Sequence, residues 1–584
     1  MDWHQKFKRT FIITLIVGGA VSLSLGLVEL RNDLLELLNK MSIGKSLLAF
    51  GAVAVIAGIG AKASLTSQTR NNVRIRALPW WWVAVGIATA GASIWGFTSW
   101  LLSIAGNDPS RRLEAVRTGL TVGVGAGGAY ALLLAVRRQW LQEHAHVHER
   151  EVAKLNQHDA TERRVTELYA KAADQLGSEK AAVRLAGLYS LERLAQDHSE
   201  HRQTIVNLIC AYLRMPSLRP LSRTPGSSHE DAYEQEREVR RTAQKILSHH
   251  LNPNSSGFWS EMSLNLYGAH LINFQINHGR LKGANFSEAR FLGDTQFFGT
   301  EFQGVTNFRH AEFQGNLTCP NSIFEGSANF ANATFKGNVS LREATFNGRA
   351  NFASTAFEKV ANFKSSFFAR SAHFESSSFD GAAHFHKVKF KGIANFAETI
   401  FAAKASWRSA SFERETSFHG ATMLDNVDFG HSLFTETTLF TSVSFGGRAE
   451  FVNASFDNSV RFSWSRFDGR AAFGDAIFAG RASFSKTTFE VSATFTQCTF
   501  ASEAWFPRAT FRGRAGFDGS QFQGLANFKS AKFFGLIKFG RVNFFTASQF
   551  EYARVGLGDV AEHIIPFGWK VARVESQYQL TRDQ

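Results

Sequence analysis

The chain has 584 residues and a formal net charge of +14, from 64 Lys and Arg against 50 Asp and Glu. This length exceeds one ordinary domain and predicts two or three. The three cysteines are too few for a disulfide framework, which excludes the small disulfide-rich secreted class. We expect Cys210, Cys319 and Cys498 to be core thiols in a reducing compartment. The 56 Phe against 8 Tyr indicate a strong bias in one part of the chain.

Residues 1–139 contain four apolar segments, each close to the roughly 20 residues that a helix needs to span a bilayer. These segments are Phe11–Leu30, Leu47–Leu65, Trp80–Ala105 and Gly119–Val136. We therefore predict an α-helical membrane domain of about four transmembrane helices, or of two if only the last pair inserts. The bilayer is then a partner of the chain. Nine basic residues on one side against six on the other favour a multi-pass protein of the cell membrane with its C-terminal part in the cytoplasm.

Residues 140–255 predict a cytoplasmic α-helical adaptor. Leu185, Leu188 and Leu191 share one helix face, and Ile205 and Leu208 begin another. The helix pair around residues 197–200 looks like a single HEAT-type unit. Three of the nine prolines fall at positions 216, 220 and 225, which predicts a linker at 216–230.

From Phe286 to Phe550 an aromatic residue recurs with gaps that alternate between five and six residues. Twenty-four modules of 11 residues run from 286 to 549, and 44 of their 48 marked positions are Phe. A small residue lies two positions before almost every marked position. This period fits neither a helix nor a half-buried strand. It does fit a square solenoid, in which each short side points one large and one small residue inward and then turns a corner.

Glycine marks the longer of the two corners. It lies two positions after the second Phe of the module in 14 of 24 cases but after the first Phe in only three. We therefore predict that the long corner needs a positive φ, which glycine adopts at low cost. The corner glycines that establish the pattern are Gly293, Gly304, Gly315, Gly326, Gly337 and Gly348.

Asparagine indicates the length of one coil. Asn285, Asn307, Asn329 and Asn351 are each 22 residues apart, so two modules would make one coil and would stack these amides into a ladder. Twelve coils at a strand spacing of roughly 4.8 Å give a rod of about 60 Å. The tail from Glu551 to Gln584 breaks the pattern and is predicted to cap the far end, as Phe258–Leu266 would cap the near end.

The repeat resembles the pentapeptide-repeat family in its Phe-rich variant A-N-F-x-x-A-x-F-x-G, which stands here at Ala328–Gly337. The segment from Ala160 to Pro216 resembles the one that often joins membrane spans to repeats in bacterial pentapeptide-repeat proteins. The resemblance implies a right-handed quadrilateral β-helix over residues 256–550. The Phe residues that we expect to form its core ladder are Phe330, Phe335, Phe352, Phe357, Phe396, Phe401, Phe451, Phe456, Phe484 and Phe489.

The sequence contains no recognisable catalytic motif. G-x-S-x-G, Walker A, H-E-x-x-H and C-x-x-C are all missing, and the solenoid carboxylates are scattered singly. His373, His384 and His386 could bind a metal from adjacent sides of the coil, although outward histidines on a regular scaffold explain them more simply. We therefore predict a protein that is not an enzyme, with no catalytic, cofactor-binding or metal site and no cofactor.

Charge bears on the choice of partner. From Glu261 onward the chain has 33 Lys and Arg against 28 Asp and Glu, a difference of +5. This excess is small for a nucleic-acid-binding protein and disfavours that partner, and a DNA-mimicking topoisomerase modulator would need an acidic face. The sequence favours a membrane-anchored scaffold that presents the β-helix to a protein partner in the cytoplasm. The alternative is a membrane-tethered nucleic-acid or topoisomerase modulator.

Overall fold

A computed structural model describes residues 81–216, 228–556, 562–574 and 577–583. Its five helices in these ranges are α1 (Trp81–Ile104), α2 (Pro109–Leu176), α3 (Ala181–Asp197), α4 (Arg202–Arg214) and α5 (Ser228–His250). A 3₁₀ turn, Ser199–His201, lies between α3 and α4. The chain forms two compact units, Met1–Ala160 and Thr161–Gln584. The second unit contains α3 to α5 together with the whole solenoid.

The prediction of N-terminal membrane spans is wrong. Within the described ranges no helix combines the length and the apolar content needed to cross a membrane. In α1 the apolar residues are interrupted by glycine, serine and threonine, and α2 continues far beyond Val136 into strongly charged sequence. The predicted multi-pass location in the cell membrane depended on these spans and is therefore also wrong. The spans expected at Phe11–Leu30 and Leu47–Leu65 lie outside the described residues.

The solenoid has four sides, each a parallel sheet built from one short strand per coil. We number the sides 1 to 4 in the order in which the chain visits them. Side 1 contains Ser263–Asn265, Gly283–Asn285, Thr306–Asn307, Ala328–Asn329, Ala350–Asn351, Ala372–His373, Ala394–Asn395, Thr416–Ser417, Thr438–Leu439, Val460–Arg461, Ala482–Ser483, Ala504–Trp505, Ala526–Asn527 and Ser548–Gln549. Side 2 contains His270–Ile272, Arg290–Leu292, Glu312–Phe313, Thr334–Phe335, Ala356–Phe357, Ser378–Phe379, Ile400–Phe401, Thr422–Met423, Ser444–Phe445, Arg466–Phe467, Thr488–Phe489, Thr510–Phe511, Lys532–Phe533 and Arg554–Val555, and ends in a hairpin of Trp569–Val574 and Gln577–Arg582.

The other two sides begin slightly later in the chain. Side 3 contains Thr295–Gln296, Leu317–Thr318, Val339–Ser340, Ala361–Asn362, Ala383–His384, Ala405–Ser406, Val427–Asp428, Ala449–Glu450, Ala471–Ala472, Ala493–Thr494, Ala515–Gly516 and Ile537–Lys538. Side 4 contains Arg280–Leu281, Glu301–Phe302, Ile323–Phe324, Thr345–Phe346, Phe367–Phe368, Lys389–Phe390, Ser411–Phe412, Leu433–Phe434, Ser455–Phe456, Ile477–Phe478, Thr499–Phe500, Gln521–Phe522 and Asn543–Phe544. The predicted β-solenoid is confirmed.

The interior consists of four columns of aromatic rings. On side 1 Phe330 stacks on Phe352 at a centroid distance of 4.8 Å and an interplanar angle of 2°. Columns meet edge to face across the interior, as Phe352 and Phe363 do at 5.5 Å and 90°. Both arrangements are favourable for aromatic pairs when stacked rings are offset. Because the columns contact one another edge to face, the position of the rings in one column along the solenoid axis fixes the position of the rings in the neighbouring columns.

The small inward residues do more than leave room for the rings. Thr355 Oγ1 donates to the carbonyl of Phe330 at 2.8 Å, and Ser377 Oγ donates to that of Phe352 at 2.6 Å. Each bond joins a residue to the coil before it, so a buried hydroxyl is satisfied and two coils are tied together. Cys498 Sγ contacts the carbonyl of Phe473 in the same way at 2.8 Å. All three cysteines are buried and free, as expected for core thiols.

Asparagine has a different role from the one predicted. Asn329 pairs in register with Asn351, so two modules do form one coil. However, Asn329 Oδ1 accepts a hydrogen bond from the amide of Ala331, two residues later in its own coil, at 3.1 Å. The asparagines on this side therefore shape the turn. Amide-to-amide bonds between coils occur on side 3, where Asn338 Nδ2 donates to Asn316 Oδ1 at 3.2 Å, and at the first coil of side 1, where Asn285 Nδ2 donates to Asn265 Oδ1 at 3.4 Å.

The long corner does not select glycine for a positive φ, contrary to the prediction. Of the six predicted corner glycines only Gly293 has a positive φ, whereas Asn332 on the short corner has φ 57°. At Gly337 an added Cβ would overlap the carbonyl group of Gly315 in the preceding coil. The long corner thus selects glycine because successive coils approach closely there. The short corner places Asn, Ser, Glu or Lys in the left-handed region.

Both ends of the solenoid are covered by the chain itself. Gln244 of α5 donates to the carbonyl of Ile272 at 2.8 Å and accepts from its amide at 2.9 Å, and Gln203 of α4 makes the same pair of bonds with Ser263. These side-chain amides substitute for a missing strand. At the other end Trp569 packs edge-on against Phe550 at 5.3 Å, and the terminal hairpin extends side 2.

We expect the aromatic columns to be most sensitive in their middle. Phe396 stacks on Phe374 at 4.8 Å and on Phe418 at 4.9 Å, so Phe396→Ala should cost roughly 3–5 kcal/mol through cavity formation. Phe550 has a stacking partner on one side only, Phe528, and its replacement by Ala should cost less. Chemical unfolding of residues 161–584 measures both, with the half-exposed Ile400→Ala as control. Equal losses for Phe396→Ala and Phe550→Ala would contradict the column model.

The two corners should respond to opposite substitutions. Gly337→Ala should destabilise by about 1–3 kcal/mol, because the backbone of the preceding coil must move. Asn332→Gly should change stability by less than about 0.5 kcal/mol, since Gly readily keeps the positive φ. Asn332→Val should be clearly destabilising, because a β-branched residue is strained there. Tolerance of Gly337→Ala would refute the close-approach explanation.

Candidate functional site

The core-ladder Phe residues lie inside the solenoid, where no ligand can reach them. Phe330, Phe396 and Phe484 of side 1 are buried, as are the other seven members of the predicted set. Sides 2, 3 and 4 hold Phe335, Phe451 and Phe456, for example. These residues hold the scaffold together. Any recognition must therefore use the outward positions of the four sides.

Most outward charges are neutralised between coils. On side 2, Glu312 lies 3.6 Å from Arg290 of the coil before it and 2.6 Å from Lys336 of the coil after it. The hydrogen bond from Lys336 is the main cause that lowers the pKa of the Glu312 carboxyl. Glu490 is held in the same manner between Arg466 and Arg512, at 2.7 Å and 3.2 Å. Carboxylates committed to such pairs are poor candidates for acid–base chemistry.

The three histidines considered from the sequence do not come together. His373 lies on side 1, with Nδ1 3.5 Å from Glu375 Oε2, whereas His384 lies on side 3. The two sides are separated by side 2, so the expectation of adjacent sides was wrong. His386 follows on side 3. Burial, with Lys387 and Lys364 nearby, lowers the pKa of His386.

A mixed cluster on the helical part was missed by sequence reasoning. The ligand atoms of Glu162, Glu200 and His201 all lie within 4.8 Å of one another. His201 Nε2 is 3.6 Å from Glu162 Oε2, and Glu200 is exposed. Protonated His201 would form an ion pair that links α2 to the 3₁₀ turn. Glu162 is far from Glu200 and His201 along the chain, so the spacing of these residues in the sequence did not indicate that they are in contact.

Side 1 carries an exposed aromatic group near the C-terminal end of the solenoid. Trp464 and Tyr552 are 63% and 66% exposed, and both have a positive φ, of 65° and 59°. They begin and end one column at 22-residue spacing, with Lys486, Arg508 and Ser530 between them. The left-handed conformation here is a feature of the repeat, so what is unusual is the choice of a large aromatic residue at this corner. Neither ring contributes to the buried core.

Cations accompany these rings. Lys486 Nζ lies 3.7 Å from the ring centroid of Trp464, and Arg481 lies 4.2 Å above the ring of Trp505. Lys529 is 6.0 Å from the ring of Tyr552. We call this group the aromatic surface; its members are Arg461, Trp464, Arg481, Lys486, Trp505, Arg508, Lys529 and Tyr552. At roughly 4.8 Å per coil it extends for about 19 Å along side 1.

Comparison with known proteins bears on the repeats. A family model described as pentapeptide repeats (9 copies) matches residues 320–366, 440–488 and 477–521. Searches of curated proteins and of solved structures found no match. The matched segments all lie within the four-sided solenoid, and the last two include part of the aromatic surface.

Proposed function

We propose, from the premise that this chain belongs to the pentapeptide-repeat family, that it is a non-enzymatic scaffold whose aromatic surface binds a protein partner. The solenoid supplies a rigid, regular support with both ends covered. On such a support an exposed side chain is held at a fixed spacing from its neighbours, which lowers the entropy lost on binding.

The observation that carries the proposal is the pair of exposed rings, Trp464 and Tyr552, on either side of Lys486 and Arg508. Trp, Tyr and Arg are the residues most enriched at the energetic centres of protein interfaces. The excess of cations in this group favours a partner with acidic residues beside an apolar anchor.

The alternative of a topoisomerase modulator acting by DNA mimicry has less support. A DNA mimic needs a face with a high density of negative charge. On the described solenoid Glu312, Glu490 and Glu503 are each held by basic neighbours instead. The carboxylates therefore stabilise the stack of coils and do not build an acidic face.

We expect a photo-crosslinking residue at position 530 to trap the partner, because Ser530 lies inside the aromatic column and is flanked by Arg508 and Tyr552. Position 354 is the matched control, since Ser354 occupies the same left-handed site of side 1 several coils away, with φ 53°. The measurement is crosslinking in the cells that make the full-length protein, followed by identification of the trapped chain.

The crosslink from position 530 should disappear in the Trp464→Ala/Tyr552→Ala variant and persist in Ile400→Ala/Ile477→Ala, which removes two exposed aliphatic side chains from sides 2 and 4. With the purified partner, the aromatic double variant should weaken binding by about tenfold or more. Equal crosslinking from positions 530 and 354, or persistence in the aromatic variant, would disprove this site.

A further inference from the structure

A second surface of the solenoid stacks positive charge on positive charge. Arg342, Lys364, His386 and Arg408 each follow the inward residue of side 3 in four consecutive coils. Backbone bonds fix them in register: the carbonyls of Lys364, His386 and Arg408 accept from residues 343, 365 and 387 of the preceding coils at 2.9–3.0 Å. These four side chains therefore lie one above another at the coil spacing of roughly 4.8 Å.

Two lysines widen this column. Lys387 is next to His386 on the corner, and Lys404 precedes the following strand of side 3. Both are exposed, as are Arg342, Lys364 and Arg408. We call the six residues the cationic surface: Arg342, Lys364, His386, Lys387, Lys404 and Arg408.

The cationic surface differs from the ion-paired groups of side 2. On side 2 charges of opposite sign are paired between coils, Glu312 with Arg290 and Lys336, and Glu490 with Arg466 and Arg512. Here only the ends are paired, Arg342 with Glu343 at 3.8 Å and Arg408 with Asp428 at 3.5 Å. Among the described residues Lys364, Lys387 and Lys404 have no ion-pair partner. Like charges opposite each other on neighbouring strands destabilise a sheet, so folding does not account for this arrangement.

We propose that the cationic surface binds the phosphate backbone of duplex nucleic acid without reading its sequence. Lys and Arg clustered on one face are the electrostatic footprint of such binding, and phosphate contacts alone can provide it. The column is about 14 Å long, a length over which B-form DNA presents about eight phosphates on its two strands.

An acidic protein surface would satisfy the same charges but fits less well. Protein interfaces depend on a few buried anchors, mostly Trp, Tyr and Arg. Between Arg342 and Arg408 the described part of side 3 presents no exposed Phe, Tyr or Trp to serve as one. The largest exposed apolar residue there is Val360, at its edge. The cationic surface thus has the charge that a polyanion needs and lacks the anchors of a protein interface.

The small net charge of the solenoid as a whole gives no indication of this local cluster of basic residues. The excess of +5 from Glu261 onward disfavours nucleic acid only if the charges are dispersed. The coil register instead gathers five Lys and Arg and a histidine onto one side of four coils, while acidic residues elsewhere balance the total. The proposal is independent of the protein partner expected at the aromatic surface on side 1.

The test is the affinity of the purified full-length protein for fluorescently labelled 20-base-pair duplexes of two unrelated sequences, measured by anisotropy over a salt series. We expect equal affinity for both duplexes and a steep loss with salt. Lys364→Glu/Lys387→Glu/Lys404→Glu should lower the affinity by about tenfold or more at moderate salt and flatten the salt dependence. The solenoid accepts Glu at each of these position types, as at Glu375, Glu343 and Glu415.

The control is Arg309→Glu/Arg349→Glu/Arg541→Glu, which makes the same charge change at the same three position types elsewhere on the solenoid. It should keep the affinity of the natural protein within about threefold. Circular dichroism verifies that each variant is folded.

Three results would overturn the proposal. One is equal loss in the two triple variants, which would mean that net charge alone attracts DNA. Another is the absence of binding by the natural protein at low salt. The third is displacement of the duplex by polyglutamate at a lower concentration of charges than by unlabelled DNA, which would identify an acidic protein segment as the preferred ligand.

Discussion

The in-register stacking of identical coils is the constraint on which the rest of this molecule depends. Phe330 must lie over Phe352 at 4.8 Å, and hydrogen bonds such as that from Thr355 to the carbonyl of Phe330 hold the coils at that spacing. Because each side contributes one large and one small inward residue, the interior is filled without overpacking. Every outward residue then inherits a fixed neighbour 22 positions before it and another 22 positions after it in the chain.

Stacking also creates two problems that the chain solves locally. The corners bring backbone against backbone, which favours glycine at Gly337, while the opposite corner turns through a left-handed residue such as Asn332. The ends leave strand edges that need partners. Gln203 and Gln244 meet that need on one end with a side-chain amide in the position of a peptide group, and Trp569 covers the last ring on the other.

The solenoid could be predicted from the sequence because its period depends on how large and small side chains fill the interior. The sizes of the residues are visible in the sequence itself. The coil length followed from Asn329 and Asn351, and the register confirms it. What the asparagines and glycines do within the coil could not be predicted, since spacing does not distinguish a turn-forming amide from a ladder, or positive φ from close approach. The prediction of membrane spans was wrong because it counted the apolar residues in a run. In α1 the glycine, serine and threonine between those residues lower the apolar content of the helix.

The two candidate surfaces show why a regular scaffold makes outward residues informative. On an irregular surface an exposed Trp or an unpaired Lys has many explanations, because each position has its own environment. Here twelve or more equivalent positions show what the fold needs, and at Lys387 and Trp464 it needs only a residue that tolerates positive φ. Elsewhere on the same kind of position the chain places mostly Asn, Ser or Glu, and on side 2 charged residues are paired with opposite charges of neighbouring coils. The repeat itself does not require three lysines without ion-pair partners on one side of the described solenoid, or a tryptophan exposed to solvent, and these are the observations from which we propose binding at the two surfaces.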